Sequence, residues 1–194
     1  MLKMNFFPAP GTNGGAAGAP VPYILETERL FLREMAEGDY RDLCAVLQDA
    51  EAMYAYEHAF SDEEVWDWLR RQQERYRKDG FGLWAAVEKR TGEMVGQAGI
   101  TLQEIEGEML PEIGYLLKRR HWHKGYASEA AVGCREYAFA VLRLPRVYSI
   151  IRENNFPSRR VAERGGMRAV KTVVKHYYGM DMPHLVYCRE SGQA

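Results

Sequence analysis

No apolar run in this chain approaches the roughly 18 residues needed to cross a bilayer, so no segment reads as a transmembrane helix and no membrane partner is expected. Cysteine is scarce. Cys44, Cys134 and Cys188 are odd in number, far apart and without a Cys-x-x-Cys pair. A disulfide framework or a structural zinc site is therefore not expected, and the three thiols read as reduced packing residues of a cytoplasmic protein. No sustained hydrophobic segment follows Lys3, Phe6 and Phe7, so a secretory signal is unsupported. An excess of either charge is lacking too. Lys and Arg total 26, Asp and Glu total 27, and the net charge is −1. A dedicated nucleic-acid binder carries a basic excess, so no nucleic-acid partner is expected. What is present is an ordinary globular composition, 46% hydrophobic and 27% charged over 194 residues. A chain of this length suits one domain and can bury roughly 70% of its extended surface.

The first 22 residues differ from the rest. The stretch from Gly11 to Pro20 is made of Gly, Ala, Thr, Asn and Pro and has little to bury, so 1–22 is expected to be a flexible leader and 23–194 a single domain. Residues 24–35 alternate as a strand. Asp39 can cap a helix whose apolar face is Tyr40, Leu43, Cys44 and Leu47. Ser61 and Glu64 form a capping box for a second helix that ends near Gly80. Strands are expected over 81–89 and 94–103, with a hairpin turn at Thr91-Gly92-Glu93, and a fourth over 112–118 after an acidic loop. A long helix over 125–142, a fifth strand over 146–152, a short helix over 157–164 and two last strands over 167–178 and 184–189 complete the order. An antiparallel meander followed by a β-α-β unit predicts a mixed sheet with the fourth and fifth strands parallel.

Two segments carry chemistry. In the first, a strand beginning at Glu112 feeds a loop containing Lys118, Arg119, Arg120 and Lys124, and Gly125 sits where the long helix begins. A helix N-terminus offers free N–H groups and the positive end of a dipole, which suits a phosphate. Gly125 lets the ligand approach closely, and Ala127 stays small for the same reason. A pyrophosphate or phosphorylated cofactor is the expected ligand. Neither Gly-Lys-Ser/Thr nor Gly-x-Gly-x-x-Gly is present. Taken alone, the segment reads equally well as a helix cap beside a solvated charged loop. In the second segment, Asn155 and Ser158 open the short helix after the fifth strand, where they can bind a ligand outside the strand ends or simply cap the helix.

Together the two segments resemble a family. Trp122-His-Lys-Gly-Tyr-Ala-Ser-Glu-Ala130, then Asn155-Phe-Pro-Ser158 and Glu163-Arg-Gly-Gly-Met167, look like the GNAT N-acetyltransferases. The opening Leu25-Glu-Thr-Glu-Arg-Leu-Phe-Leu-Arg33 and the ending Gly179-Met-Asp-Met-Pro-His-Leu-Val-Tyr187 resemble the ribosomal-protein N-terminal acetyltransferase (RimJ/RimL-like) branch. The resemblance implies an α/β (α+β) fold. It would have a mixed, mostly antiparallel sheet of about seven strands, helices on both faces, and the fourth and fifth strands splayed apart. It implies acetyl-CoA as cosubstrate, no metal, and an amine acceptor that is a small molecule or a protein N-terminus. A monomer or homodimer is expected. The backbone around Trp122, His123, Lys124, Gly125, Tyr126, Ala127 and Ser128 would hold the pyrophosphate. The strand edge at Tyr115, Leu116 and Leu117 would pair with the pantetheine amides. Asn155 would contact the cofactor and Ser158 would lie near its thiol end. Two departures stand out: His123 replaces the family's usual Gly, and Ala162 replaces a Tyr that many members use as general acid, which leaves Ser158 as candidate acid.

Acetyl transfer needs a neutral amine. A lysine-like amine of pKa about 10.4 loses about 4.6 kcal/mol to protonation at pH 7, and an α-amine of pKa about 7.8 loses about 1 kcal/mol. Glu112 is the candidate base, provided burial raises its pKa, and it reads equally as a surface carboxylate. The tetrahedral intermediate would be stabilised by a backbone N–H of the fourth strand. A non-catalytic acyl-CoA-binding module and a different acyl group are the alternatives. His121 and His123 read as part of a cationic loop rather than a metal site. Trp66, Trp68, Tyr54 and Tyr56 read mainly as packing, and the loop 49–60 is the expected source of acceptor specificity.

Overall fold

The computed structural model describes residues 4–6, 22–56, 58–177 and 179–192. Among them run β1 (Asn5–Phe6), β2 (Tyr23–Glu26), β3 (Leu30–Arg33), α1 (Tyr40–Leu47), α2 (Asp62–Asp79), β4 (Leu83–Glu88), β5 (Met94–Ile105), β6 (Glu108–Leu117), α3 (Tyr126–Ala140), β7 (Arg146–Arg152), α4 (Phe156–Arg164), β8 (Arg168–Tyr177) and β9 (Met180–Glu190). The strands form one sheet in the order β1-β2-β3-β4-β5-β6-β7-β9-β8. Every neighbouring pair is antiparallel except β6 and β7, which are parallel and joined through α3.

The sheet has nine strands rather than about seven, for two reasons. The expected strand over 24–35 breaks at Thr27, whose hydroxyl accepts from the Leu30 N–H at 3.1 Å and thereby turns the chain into a β2–β3 hairpin. Within the segment expected as a leader, Asn5–Phe6 pairs with β2, while 7–21 lie outside the described residues. Asp39 also differs from expectation: its carboxylate leaves α1 uncapped and instead pairs both oxygens with Arg33 at 2.7 Å. The acidic loop before β6 contracts to a tight turn, because Glu106 and Gly107 both take positive φ, 53° and 83°, the twist a two-residue hairpin needs. As expected, Ser61 and Glu64 form a reciprocal capping box, and Gly80 ends α2 at φ 78°.

Helices cover both faces. The side chains of Ile113 and Leu117 on β6 and Val147 and Ile151 on β7 pack with Ala130, Cys134 and Tyr137 of α3. The alternate residues point the other way, as the period of two requires. There Leu116 packs with Leu43 and Leu47 of α1 and Val65, Trp68 and Leu69 of α2. Ile150 and Leu110 join Val173 and Val186 in a smaller apolar patch. Glu112 therefore stands on the α1/α2 face between these two patches.

Candidate active site

The β6–β7 pair is where the sheet fails to close. These strands share one ladder position, Glu112 opposite Tyr148. Beyond it, side chains replace backbone pairing. The Ser149 hydroxyl donates to the Ile113 carbonyl at 3.0 Å, and the Ile150 N–H donates to Glu112 Oε1 at 3.1 Å. The strands then diverge toward their C-terminal ends, and a narrow cleft opens on the α3/α4 side, lined by Ile113, Tyr115, Ala131, Ser149, Val161 and Ala162.

One edge of β6 faces this cleft, and its parity can be assigned. Lys118 N–H donates to Val95 O, so even-numbered residues of β6 turn their amides toward β5. Odd-numbered residues turn theirs outward, as the Ser149 bond to Ile113 O requires. The Leu117 carbonyl is taken by the Trp122 indole N–H at 2.9 Å. The free groups are thus the N–H and C=O of Tyr115 and the N–H of Leu117. The expected edge of Tyr115, Leu116 and Leu117 narrows accordingly, because Leu116 spends its backbone on Gln97 and its side chain on the core.

At the start of α3 the N-cap Gly125 has φ 83° and the helix has no side-chain cap. Trp122 N–H bonds Arg119 O, and Glu129 N–H bonds Gly125 O. Between them the N–H groups of His123, Lys124, Gly125, Tyr126, Ala127 and Ser128 have no acceptor among the described residues. His123 takes φ 59°, a left-handed conformation that disfavours a Cβ and accounts for the family's glycine there. The cationic loop is more neutral than its sequence suggests. Lys118 pairs with Asp42 at 2.5 Å and Glu93 at 3.4 Å, Arg119 with Asp49 and Glu51, and Arg120 and His121 with Glu93. These partners hold the Glu93 carboxyl at about 2, the His121 hydrogen bond foremost. Only Lys124 of the four expected cations lacks a carboxylate partner among the described residues. His121 faces inward on Glu93 and His123 is exposed.

Sequence reasoning missed the clamp that shapes this loop. Glu129, in the first turn of α3, accepts from Thr27 Oγ1 at 2.6 Å, Arg29 N–H at 2.7 Å and Arg29 Nε at 2.6 Å. Arg29 also donates to the Lys124 carbonyl at 2.9 Å and lies 4.5 Å over the Tyr126 ring. The available signal was electrostatic: a carboxylate in the first turn of a helix expected to hold an anion would repel that ligand unless a cation matched it. Glu129→Ala would remove the three hydrogen bonds that Thr27 and Arg29 donate to it, an expected loss of about 2–3 kcal/mol in urea unfolding. A ΔG change under about 0.5 kcal/mol would show that the clamp does not matter.

The second segment is equally compact. Asn155 Oδ1 caps α4 through the Ser158 N–H at 3.1 Å, which leaves its amide NH2 for a ligand. The Ser158 carbonyl accepts from the Tyr115 hydroxyl at 3.1 Å, so β6 and α4 are tied across the cleft. Glu112 lies on the opposite face. Burial raises its pKa above the ordinary carboxylate range, while Lys175, the Ile150 N–H and Arg75 act against the rise. Of the four aromatics near α2, Trp68 is buried and donates to Gln97 at 2.9 Å, and Trp66 stacks on Tyr40. Tyr54 and Tyr56 remain exposed at the rim of the same face.

This arrangement can be set beside known proteins. The family model described as acetyltransferase (GNAT) domain matches residues 29–168. The chain belongs to the GNAT acetyltransferase family. It is 38% identical over 168 residues to an uncharacterised Bacillus subtilis (strain 168) protein, YkkB, covering 86% of this chain and 95% of that one. A GNAT-family acetyltransferase from Bacillus anthracis superposes with a TM-score of 0.76 at 23% identity, over 87% of this chain and 98% of that one. The fold also matches a Vibrio cholerae spermidine N-acetyltransferase solved with CoA and spermine, TM-score 0.68 at 16% identity over 84% and 95% of the chains. No described helix of this GNAT chain is long and apolar enough to cross a membrane.

Proposed function

We propose that this GNAT protein moves an acetyl group from acetyl-CoA to a primary amine, either a small molecule or a protein N-terminus, by direct attack. The observation that carries the reading is the run of six unpartnered N–H groups from His123 to Ser128 at the α3 N-terminus, beside a sheet edge left open at Tyr115 and Leu117. The first suits a pyrophosphate and the second an amide-rich arm added as a strand. Trp122 contributes by fixing the Leu117 carbonyl, Lys124 by its charge, and Gly125, Tyr126 and Ala127 by amides that have no acceptor among the described residues. Asn155 contributes its amide NH2.

In the proposed step the amine enters from the α1/α2 face and Glu112 takes its proton. The nitrogen forms a bond to the thioester carbon, and the oxyanion is held by the Leu117 or Tyr115 N–H. The C–S bond then breaks, and the thiolate leaves on the α3/α4 face, taking a proton from water or from Ser158, which regains its own from water. The base and the leaving group thus belong to opposite faces, and the splay between β6 and β7 is the passage that joins them. Membership of the RimJ/RimL-like branch is supported by the opening and closing motifs.

The test is free-thiol release over a panel of amines and N-terminal peptides, with acetyl-CoA binding followed by calorimetry. Saturable release with any acceptor is the expected result. Ala162, buried in the cleft wall where many family members carry Tyr, favours the second reading, a non-catalytic acyl-CoA-binding module. Tight binding without turnover would establish that one instead.

A further inference from the structure

Two guanidinium groups stand in the walls around Glu112 without an ion-pair partner among the described residues. Trp68, Gln72 and Arg75 follow one another along the inner face of α2 at spacings of four and three. Trp68 is fixed to Gln97, and Gln72 accepts the Leu83 N–H at 3.1 Å. Leu83, Gly99 and Gly114 form one row across β4, β5 and β6, so Arg75 lies a turn further on, toward the row of Thr101 and Glu112. Its hydrogen bond goes to a neutral amide, Gln72 Oε1 at 3.2 Å, and no carboxylate lies within ion-pairing distance among the described residues. Burial first, and then the neighbouring Arg71, lower its pKa, while the charges of Asp79 and Glu112 act the other way without pairing with it.

A second guanidinium approaches from the other wall. Arg152 shares the face of Ile150, whose N–H bonds Glu112, and its Nη1 reaches the Tyr54 carbonyl at 3.4 Å. Like Arg75 it is half-buried and has no carboxylate partner among the described residues. Lys175 on β8 adds further positive charge acting on Glu112. The floor has room, because a Cβ on Gly114 would meet only Leu83 Cδ2, at 3.5 Å. One more donor waits on this face. Gln97 is fully buried, its oxygen is held by Trp68, and its NH2 has no acceptor among the described residues. Buried donors of this kind are normally satisfied by a water or a ligand.

We propose that the acceptor is an amino-carboxylate, an amine bearing a carboxylate that Arg75 and Arg152 receive while Glu112 faces the nitrogen. The inference rests on the acyl-transfer reading above and narrows its acceptor. Planar guanidinium groups match a carboxylate in shape as well as charge. A polyamine, by contrast, would bring a second ammonium against the same cations.

The test uses the full chain, saturating acetyl-CoA and matched trios: an amino acid, its carboxamide and its decarboxylated amine, with spermidine as a fourth acceptor. KM is compared, because the nitrogen pKa differs within each trio. For at least one trio the carboxylate member is expected to show a KM at least tenfold below its carboxamide and amine. Arg75→Gln and, separately, Arg152→Gln should collapse that ratio, and Arg75→Glu should shift the preference toward spermidine. Melting temperatures of the variants separate this from misfolding. Preference for spermidine or the decarboxylated amines, or variants that shift every KM alike, would overturn the inference and leave acyl transfer standing. Acetyl-CoA binding without thiol release for any acceptor would overturn both.

Discussion

Replacing Glu112 with Gln lowers turnover at pH 7 by about 100-fold or more, the lower end of what a positioned general base contributes, and leaves acetyl-CoA affinity unchanged. The substitution keeps Oε1, so the bond from the Ile150 N–H survives. What is lost is a carboxylate whose pKa burial has raised. The raised pKa has two consequences of opposite sign. For catalysis, the base is competent only when ionised, so kcat rises with pH through a limb lying above the ordinary carboxylate value of about 4.3, and the Gln variant loses that limb. For stability, the folded state holds the Glu112 proton more tightly than the unfolded chain. Its contribution is present below the unfolded pKa and declines as pH rises through the folded one. Glu112→Gln is therefore expected to melt no lower than the parent at pH 7, with the difference between them shrinking as pH is lowered toward 4. A strand-edge carboxylate without a catalytic role would leave the rate profile of the variant unchanged. A purely structural one would lower the melting temperature along with the rate.

What could be read from the sequence is what local chemistry decides. Ser61 with Glu64, and Gly80, bound α2 because capping and left-handed glycine act within a turn. Gly125 marks the α3 N-terminus for the same reason. The misses involve partners far away in the chain. The strand expected over 24–35 splits because Thr27 folds back and Glu129, about 100 residues later, anchors the turn. Lys118, Arg119 and Arg120 look like a cationic patch until Asp42, Glu93, Asp49 and Glu51 come alongside. Which residues of β6 present free amides depends on pairing parity with β5, and no property of Tyr115, Leu116 or Leu117 reveals it. The face that Glu112 shares with Arg75 is likewise fixed only when α2 docks on the sheet. The places of the two candidate segments, at the starts of α3 and α4, were legible, but their electrostatic surroundings were not.

Gly125→Val should weaken acetyl-CoA binding by tenfold or more while the chain still folds. Gly125 adopts φ 83°, which a β-branched residue tolerates poorly, at a cost of about 1–3 kcal/mol. A Cβ there would also approach Arg29 Nη2 at 3.3 Å, on the side chain that holds the Lys124 carbonyl. The chain relieves the strain by turning the loop toward negative φ, which disperses the six N–H groups that now lie together without acceptors. Since Lys124 is the loop cation left without a carboxylate partner among the described residues, little charge remains to compensate for misaimed amides, and the loss is expected to fall on the pyrophosphate. Calorimetry with acetyl-CoA and with dephosphorylated pantetheine fragments separates the contributions. The variant should lose affinity for the nucleotide-linked cofactor and retain that for the fragment, which depends on the Tyr115 and Leu117 edge instead. Equal affinity of variant and parent for acetyl-CoA would mean that the α3 N-terminus does not hold the diphosphate.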